Sequence, residues 1–269
     1  MRVLVGVESV EGAIEVSGWL HRLALGDVDE EWMHVLPAQK GMAWALDPLL
    51  ATDQPGRLQE QAVRAMQLAL QERSGDVPVE VRVGDPATEL LRRAEETKAD
   101  LIAVRGTNKG LLSELLLGSV ARALIEGAPR SVLLTRGAPP ASPLKAVVST
   151  DHSAYLEKAL ERFVGWAPRG IGQLLLLHVS SPASPTASPP TADVAAALGT
   201  KLGLPAEAIR SRTATGSVFP AIQVALDETG ADLLVLGAKG HTLLESLTLG
   251  SVSLRAVTTC KRSVLVLRV

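Results

Sequence analysis

The sequence predicts an α/β protein built as two tandem, doubly wound parallel-sheet domains. Three observations carry that prediction. The chain repeats itself, with "DPATELLRRAEETKADLIAVRG" from Asp85 paralleling "SVFPAIQVALDETGADLLVLGA" from Ser217 at an offset of 132. Short β-branched runs alternate with amphipathic stretches, the pattern of right-handed βαβ units with helices on both sheet faces. A Pro/Ala/Ser-rich stretch, "RGAPPASPLK" (Arg136 to Lys145), then separates the copies with the composition of a linker.

The register of the repeat fixes the domains. At the offset of 132, Gly84 meets Gly216, Asp100 meets Asp232, and Gly118-Ser119-Val120 meets Gly250-Ser251-Val252. "RSVL" at Arg130 likewise meets "RSVL" at Arg262. Upstream, "RVLVGVES" answers "KAVVSTDHS" and "WMHVLP" answers "LLHVSS" at an offset of 143 to 144, so the second copy is shorter in its middle. Domain one is expected over 1–137 and domain two over 143–269.

Within the first copy, Val3–Val7, Trp32–Leu36, Val79–Val83, Leu101–Val104 and Ser131–Thr135 read as strands, being β-branched or apolar runs bounded by turns. Thr88–Thr97 reads as a helix, with Leu90, Leu91 and Ala94 on one face and charges on the other. In the second copy, "SSPASPTASPP" after the second strand reads as a polar, proline-rich loop.

Composition narrows the function. The chain is 46% apolar and 21% charged with a net charge of −2, and it has seven aromatics and no Lys/Arg cluster. That balance argues against a nucleic-acid binder, which needs a concentrated basic face. The first residues carry acids too early for a signal peptide, and no stretch approaches the roughly 20 apolar residues of a membrane span. The single cysteine, Cys260, is expected to be buried, and it fits a reducing compartment. A cytoplasmic protein without membrane or nucleic-acid partners is the expectation.

Two strand ends in domain two carry unusual chemistry. The first strand ends in Ser149-Thr150-Asp151, and the fourth ends in Leu236 before "GAKG" (Gly237 to Gly240). In an open α/β sheet, ligands sit beyond the C-terminal strand ends at the switch point. Glycines there let backbone N–H groups approach an anion without Cβ interference. Nine residues after Gly240, Gly250-Ser251 opens a helix whose free N–H groups favour phosphate. A glycine-rich turn with a capping serine is the plainer alternative. The strand-end aspartate beside both glycine pairs favours a nucleotide.

Tandem copies with "VVSTDHS", "LLHV", "ADLLVLG" and Gly-x2-Gly-x9-Gly-Ser resemble a two-domain universal stress protein, over nearly the whole chain. The glycine spacing of domain two is similar to that of the family's ATP-binding branch. The resemblance implies five strands per domain in the order 3-2-1-4-5, with ATP lying across strands one and four, with or without Mg²⁺. It implies that Asp151 and the Val179 backbone hold the adenosine. Gly237, Ala238, Lys239 and Gly240 would wrap the phosphates, and Gly250, Ser251 and Val252 would close over them. Ala238 stands where the family usually has serine. The last strands of the two copies would otherwise be apolar open edges, and the family suggests that they meet as an internal pseudo-dimer.

Domain one departs from this pattern. In register, Arg105 and Asn108 face the two loop glycines, and Glu8 faces Asp151. A side chain stands where backbone would meet phosphate, so domain one is expected to bind ATP poorly or not at all. Arg105 is expected to reach into the vacated space and pair with Glu8 or another nearby acid.

Other patterns carry less. "GIGQLL" at Gly170 precedes a strand, so it is no dinucleotide fingerprint, and no Walker loop, Gly-x-Ser-x-Gly elbow or zinc pair is present. Asp151-His152-Ser153 cannot form a catalytic relay from adjacent positions, and Ser153 is expected to cap a helix. His34 and His178 read as packed strand-end histidines, and His241 as a loop histidine within reach of a phosphate. The leading function is an adenine-nucleotide-binding stress or regulatory protein that acts through an unidentified protein partner, with a homodimer allowed. A slow ATPase or nucleotidyl transferase, and a nucleotide-free dimerisation scaffold, are the alternatives.

Overall fold

In the computed structural model, residues 1–37, 55–106, 117–180, 191–239 and 249–269 are described. The first half runs β1 (Arg2–Val7), α1 (Val10–Leu23), β2 (Asp29–Pro37), α2 (Pro55–Ser74), β3 (Val79–Gly84), α3 (Pro86–Glu96), β4 (Leu101–Arg105), α4 (Ser119–Gly127) and β5 (Ser131–Thr135). The second runs β6 (Leu144–Thr150), α5 (Ala154–Gly165), β7 (Ile171–Ser180), α6 (Thr191–Lys201), a short 3-10 turn, β8 (Ile209–Thr215), α7 (Val218–Thr229), β9 (Leu233–Gly237), α8 (Ser251–Thr259) and β10 (Ser263–Leu267). The polar loop at 181–190 falls outside the described residues.

Among the described residues, ten strands form one sheet in the order β3-β2-β1-β4-β5-β10-β9-β6-β7-β8. Each half therefore has the order 3-2-1-4-5, with all of its strands parallel, and the halves join where β10 pairs antiparallel with β5. The apolar last strands satisfy each other's backbone groups. The internal pseudo-dimer is one continuous sheet.

Strand alternation sorts the core onto two faces. In β1, Val3, Val5 and Val7 join α1, α2, α5 and α6 in one buried cluster, while Leu4 joins α3, α4, α7 and α8 in the other. Both clusters run across the two halves without a break. The central strands β5, β9 and β10 are buried at every position, as strands covered on both faces must be. Phe163, fully buried in the first cluster, contributes about 1.5–3 kcal/mol through burial alone.

Matched aspartates explain the repeated "AD" before β4 and β9. Asp100 Oδ2 accepts from the Arg2 amide and Asp232 Oδ2 accepts from the Lys145 amide, each at 2.9 Å. Each carboxylate ties the start of strand four to the start of strand one, which sets the register of the switch point. The helix expected from Thr88 begins two residues earlier, at Pro86. Asp85 is its cap, with Oδ1 accepting from the Thr88 amide at 2.9 Å, and proline suits the first helical position.

A second reciprocal contact joins the halves at the ends of α1 and α5. The Gly26 amide donates to the Trp166 carbonyl at 2.8 Å, and the Gly170 amide donates to the Leu23 carbonyl at 2.9 Å. Both helices exit through an alanine in the left-handed region, Ala24 at φ 47° and Ala167 at φ 50°.

Candidate functional site

Sharp local structure at the end of β6 positions the polar residues of domain two. The Ser153 amide donates to Asp151 Oδ1 at 3.0 Å, and Ser153 Oγ accepts from the Leu156 amide at 3.2 Å. This turn places His152 at φ 57° and starts α5 immediately, with the expected serine cap. The α8 start differs. Gly250 is its N-cap and offers no side-chain hydrogen bond, so the first-turn amides keep their capacity for an external acceptor. Ser253 Oγ donates to the Gly237 carbonyl at 2.7 Å, which ties the start of α8 to the end of β9.

These elements surround a cavity of about 410 Å³. Ser149, Thr150 and Asp151 line it from β6, Val179 from β7, and Leu236, Gly237 and Lys239 from β9 and the residues after it. Gly250, Ser251 and Val252 close it from α8. Leu156, Val218 and Ser253 also line it and were not singled out from the sequence. Ser253 was the most findable of these, since it lies one turn beyond the glycine-serine pair.

Ala238 is fully buried and outside the cavity lining, with its amide donating to the Leu267 carbonyl at 2.9 Å and its carbonyl accepting from the Gly250 amide at 2.8 Å. The alanine–serine difference therefore lies in the buried core and not in the cavity wall. Gly240 and His241 fall outside the described residues. Lys239 follows directly, its Nζ 6.0 Å from the centre of the Tyr155 ring.

The strand-end histidines are packed as expected. His34 Nδ1 lies 2.7 Å from the Val7 carbonyl, and His178 Nδ1 lies 3.1 Å from the Thr150 carbonyl. A carbonyl only accepts, so Nδ1 carries the proton in both. Among the described residues, no group of three or more His, Cys, Asp or Glu is arranged to hold a metal ion.

Domain one keeps a cavity of about 420 Å³ in the equivalent place. The register inferred from the repeat holds, since the Gly106 amide bonds the Thr135 carbonyl just as the Ala238 amide bonds that of Leu267. Its lining is altered. Gly6 and Val7 stand for Ser149 and Thr150, Glu8 for Asp151, Arg105 for Gly237 and Ala121 for Ser253. A Cβ on Gly6 would lie 2.8 Å from Val104 and 3.0 Å from Leu90, so hydrocarbon occupies the place of the serine.

Arg105 does not plug this cavity. Its Nε pairs with Glu15 Oε2 on α1 at 2.9 Å, and its stem lies along the first turn of α1, with Cδ 3.6 Å from where a Cβ on Gly12 would sit. The expected pairing with Glu8 or another nearby acid is met by Glu15, which faces Arg105 from α1. The guanidinium lines the wall and leaves the space open.

The model of the universal stress protein family matches the chain twice, over residues 1–136 and 144–268. The chain belongs to the universal stress protein family. The crystal structure of a universal stress protein from Archaeoglobus fulgidus DSM 4304 superposes with a TM-score of 0.63 at 20% identity, covering 99% of this chain and 98% of that one. A putative universal stress protein from Pseudomonas aeruginosa UCBPP-PA14 gives 0.64 at 16% identity, covering 99% and 92%. At such identities the likeness is one of fold. A universal stress protein of Methanothermobacter thermautotrophicus is 45% identical over 56 residues, 21% of this chain. Another, from Methanocaldococcus jannaschii, is 35% identical over 77 residues, 29% of this chain. The matched stretches span 38% and 45% of those relatives' own lengths.

Proposed function

We propose that the C-terminal half of this universal stress protein binds an adenine nucleotide, ATP by preference, and that occupancy shapes a surface read by a protein partner in stress response or regulation. The observation that carries this reading is the convergence on one cavity of a strand-end carboxylate, Asp151, with an uncapped helix start at Gly250-Ser251. The carboxylate accepts from sugar or base donors, while the helix amides donate to phosphate oxygens. Lys239 adds a cation at the same rim, and Val179 offers strand backbone at the other side. About 410 Å³ lies within the range of small-molecule sites.

The reading is of a binding protein acting in the cytoplasm. Hydrolysis, if it occurs, is slow, because among the described residues no side chain near the phosphate end is placed as a general base, a role that contributes roughly 10²–10⁴-fold. Calorimetry with ATP and Mg²⁺ tests the proposal. One site per chain is expected, and Asp151→Ala and Lys239→Ala should each weaken it about tenfold or more. No binding to the folded chain, or two equivalent sites, overturns it.

A further inference from the structure

Two bonds fix the start of α8 against the end of β9. The Gly250 amide donates to the Ala238 carbonyl at 2.8 Å, and Ser253 Oγ donates to the Gly237 carbonyl at 2.7 Å. Gly237 and Ala238 are buried, and Ser253 is itself 5% exposed. A buried carbonyl without a donor is costly, which keeps the hydroxyl turned toward it. Domain one has neither tie. Ala121 stands in the place of Ser253, and among the described residues the Gly118 amide makes no bond to the Gly106 carbonyl. The two helices otherwise begin alike, each from a glycine without a side-chain cap. The clamp belongs to the half that carries Asp151 and Gly237.

Ser253 lines the cavity, but its one hydroxyl proton is committed to Gly237 and does not serve a phosphate. The Ala238 amide is committed as well, to the Leu267 carbonyl. Among the described residues, an anion at this rim is left with the first-turn amides of α8, at Ser251 and Val252, and the cation of Lys239. Such donors bind best when their spacing is held before the ligand arrives. We propose, on the strength of the nucleotide reading, that Ser253 is a positioning residue of this site. Acting through the Gly237 carbonyl, it holds the first turn of α8 over the end of β9 and so sets affinity for the phosphate end of the nucleotide.

Calorimetry on the full chain with ATP and with adenosine tests this. Ser253→Ala should weaken ATP about tenfold, near the upper net worth of one hydrogen bond, and leave adenosine within about twofold. Ser253→Thr keeps the hydroxyl and should hold ATP affinity within about threefold of the unaltered chain. In the ligand-free chain, the Leu254 amide bonds the Gly250 carbonyl at 2.9 Å. Its hydrogen exchange should quicken about tenfold in Ser253→Ala while the amides of β9 and β10 keep their rates. Unchanged ATP affinity in Ser253→Ala, an equal loss for adenosine, a loss in Ser253→Thr as large as in Ser253→Ala, or unaltered exchange at Leu254 would each overturn the proposal and leave the nucleotide reading standing. Failure of the unaltered chain to bind ATP would instead overturn that reading, and the proposal with it.

Discussion

Arg136 and Arg268 exchange places across the junction of the two halves. Arg136 Nη2 donates to the Val257 carbonyl in α8, and Arg268 Nη2 donates to the Ile125 carbonyl in α4, each at 2.6 Å. The backbones follow the same exchange, with the Arg136 amide on Ser263 Oγ at 2.9 Å and the Arg268 amide on Ser131 Oγ at 3.0 Å. Each guanidinium thus serves carbonyls that a helix leaves unpaired in its last turn, where the negative end of the dipole also lies. Burial pushes both guanidinium pKa values down, and the carbonyls offset part of that cost.

Replacing either arginine should loosen the junction. Arg136→Met leaves the Val257 carbonyl buried without its donor, which costs about 1–3 kcal/mol. Arg268→Met should do the same to Ile125. Urea unfolding followed by circular dichroism reads both losses, and unchanged midpoints would show that the exchange contributes nothing.

Gly170 is a tighter constraint. A Cβ there would lie 1.7 Å from the Arg22 carbonyl oxygen, a backbone atom that cannot rotate away. Gly170→Ala must break the hydrogen bond to Leu23 or shift α1, and a loss above about 2 kcal/mol is expected from such backbone displacement. Gly165→Ala is the control, since nothing lies within 4 Å of its would-be Cβ. Equal stability of the two variants would refute the packing argument.

Glycines at the strand-four ends behave otherwise than their spacing alone suggests. A Cβ on Gly237 would meet Leu156 at 3.2 Å and the Lys239 carbonyl at 3.3 Å, so Gly237→Val should disturb the site by displacing its wall. Gly106 is not a neutral control for it, because a Cβ there would lie 3.0 Å from Leu134. Gly106→Val should lower the unfolding midpoint of the whole chain, and an unaltered midpoint would contradict the close approach.

The outer edge of domain one should respond to acid. Hydrogen bonding from Arg92 holds Glu89 below the usual carboxylate range, and hydrogen bonding from Arg82 does the same for Glu96. The Thr88 hydroxyl and amide lower Asp85. Groups lowered in the folded state add stability above their unfolded values, near 4.3 for Glu and 3.9 for Asp, and lose it as pH falls through the folded ones. Hydrogen exchange in β3 and α3 should therefore quicken below about pH 4 ahead of β9 and β10. Uniform quickening across the sheet would argue against it.

Cys260 should be inert in the folded chain. It is 5% exposed, and burial pushes its thiol up, so at neutral pH the nucleophilic thiolate is scarce. Ellman's reagent should label it only after denaturation, and stoichiometric labelling of the native protein within minutes would exclude this.

The fold was legible because the sequence states it twice. Asp100 and Asp232 each pin strand four to strand one, and their repetition marks the register of the two copies, while the strand order followed from the resemblance to the family. The domain-two cavity was legible for a related reason, since Asp151, Gly237 and Gly250 are read from strand ends and helix starts. Gly170, Arg136 and Arg268 were not. Their partners lie more than a hundred residues away, and nothing local distinguishes them from a turn glycine or a surface arginine. Arg105 shows the limit most clearly. Its replacement of a glycine is plain in the repeat, but the choice between Glu8 and Glu15 depends on where α1 stands over the sheet.

The antiparallel pairing of β5 with β10 has a consequence for how the molecule can be approached. All strands of one half point one way and all strands of the other point back, so the two cavities open on opposite rims of the same sheet. A partner covering one mouth leaves the other accessible, and no single flat surface can touch both. Dilution cannot separate the halves, because the chain is continuous between them. The two cavities are therefore carried in a fixed one-to-one ratio on a single chain, one at each rim of the sheet.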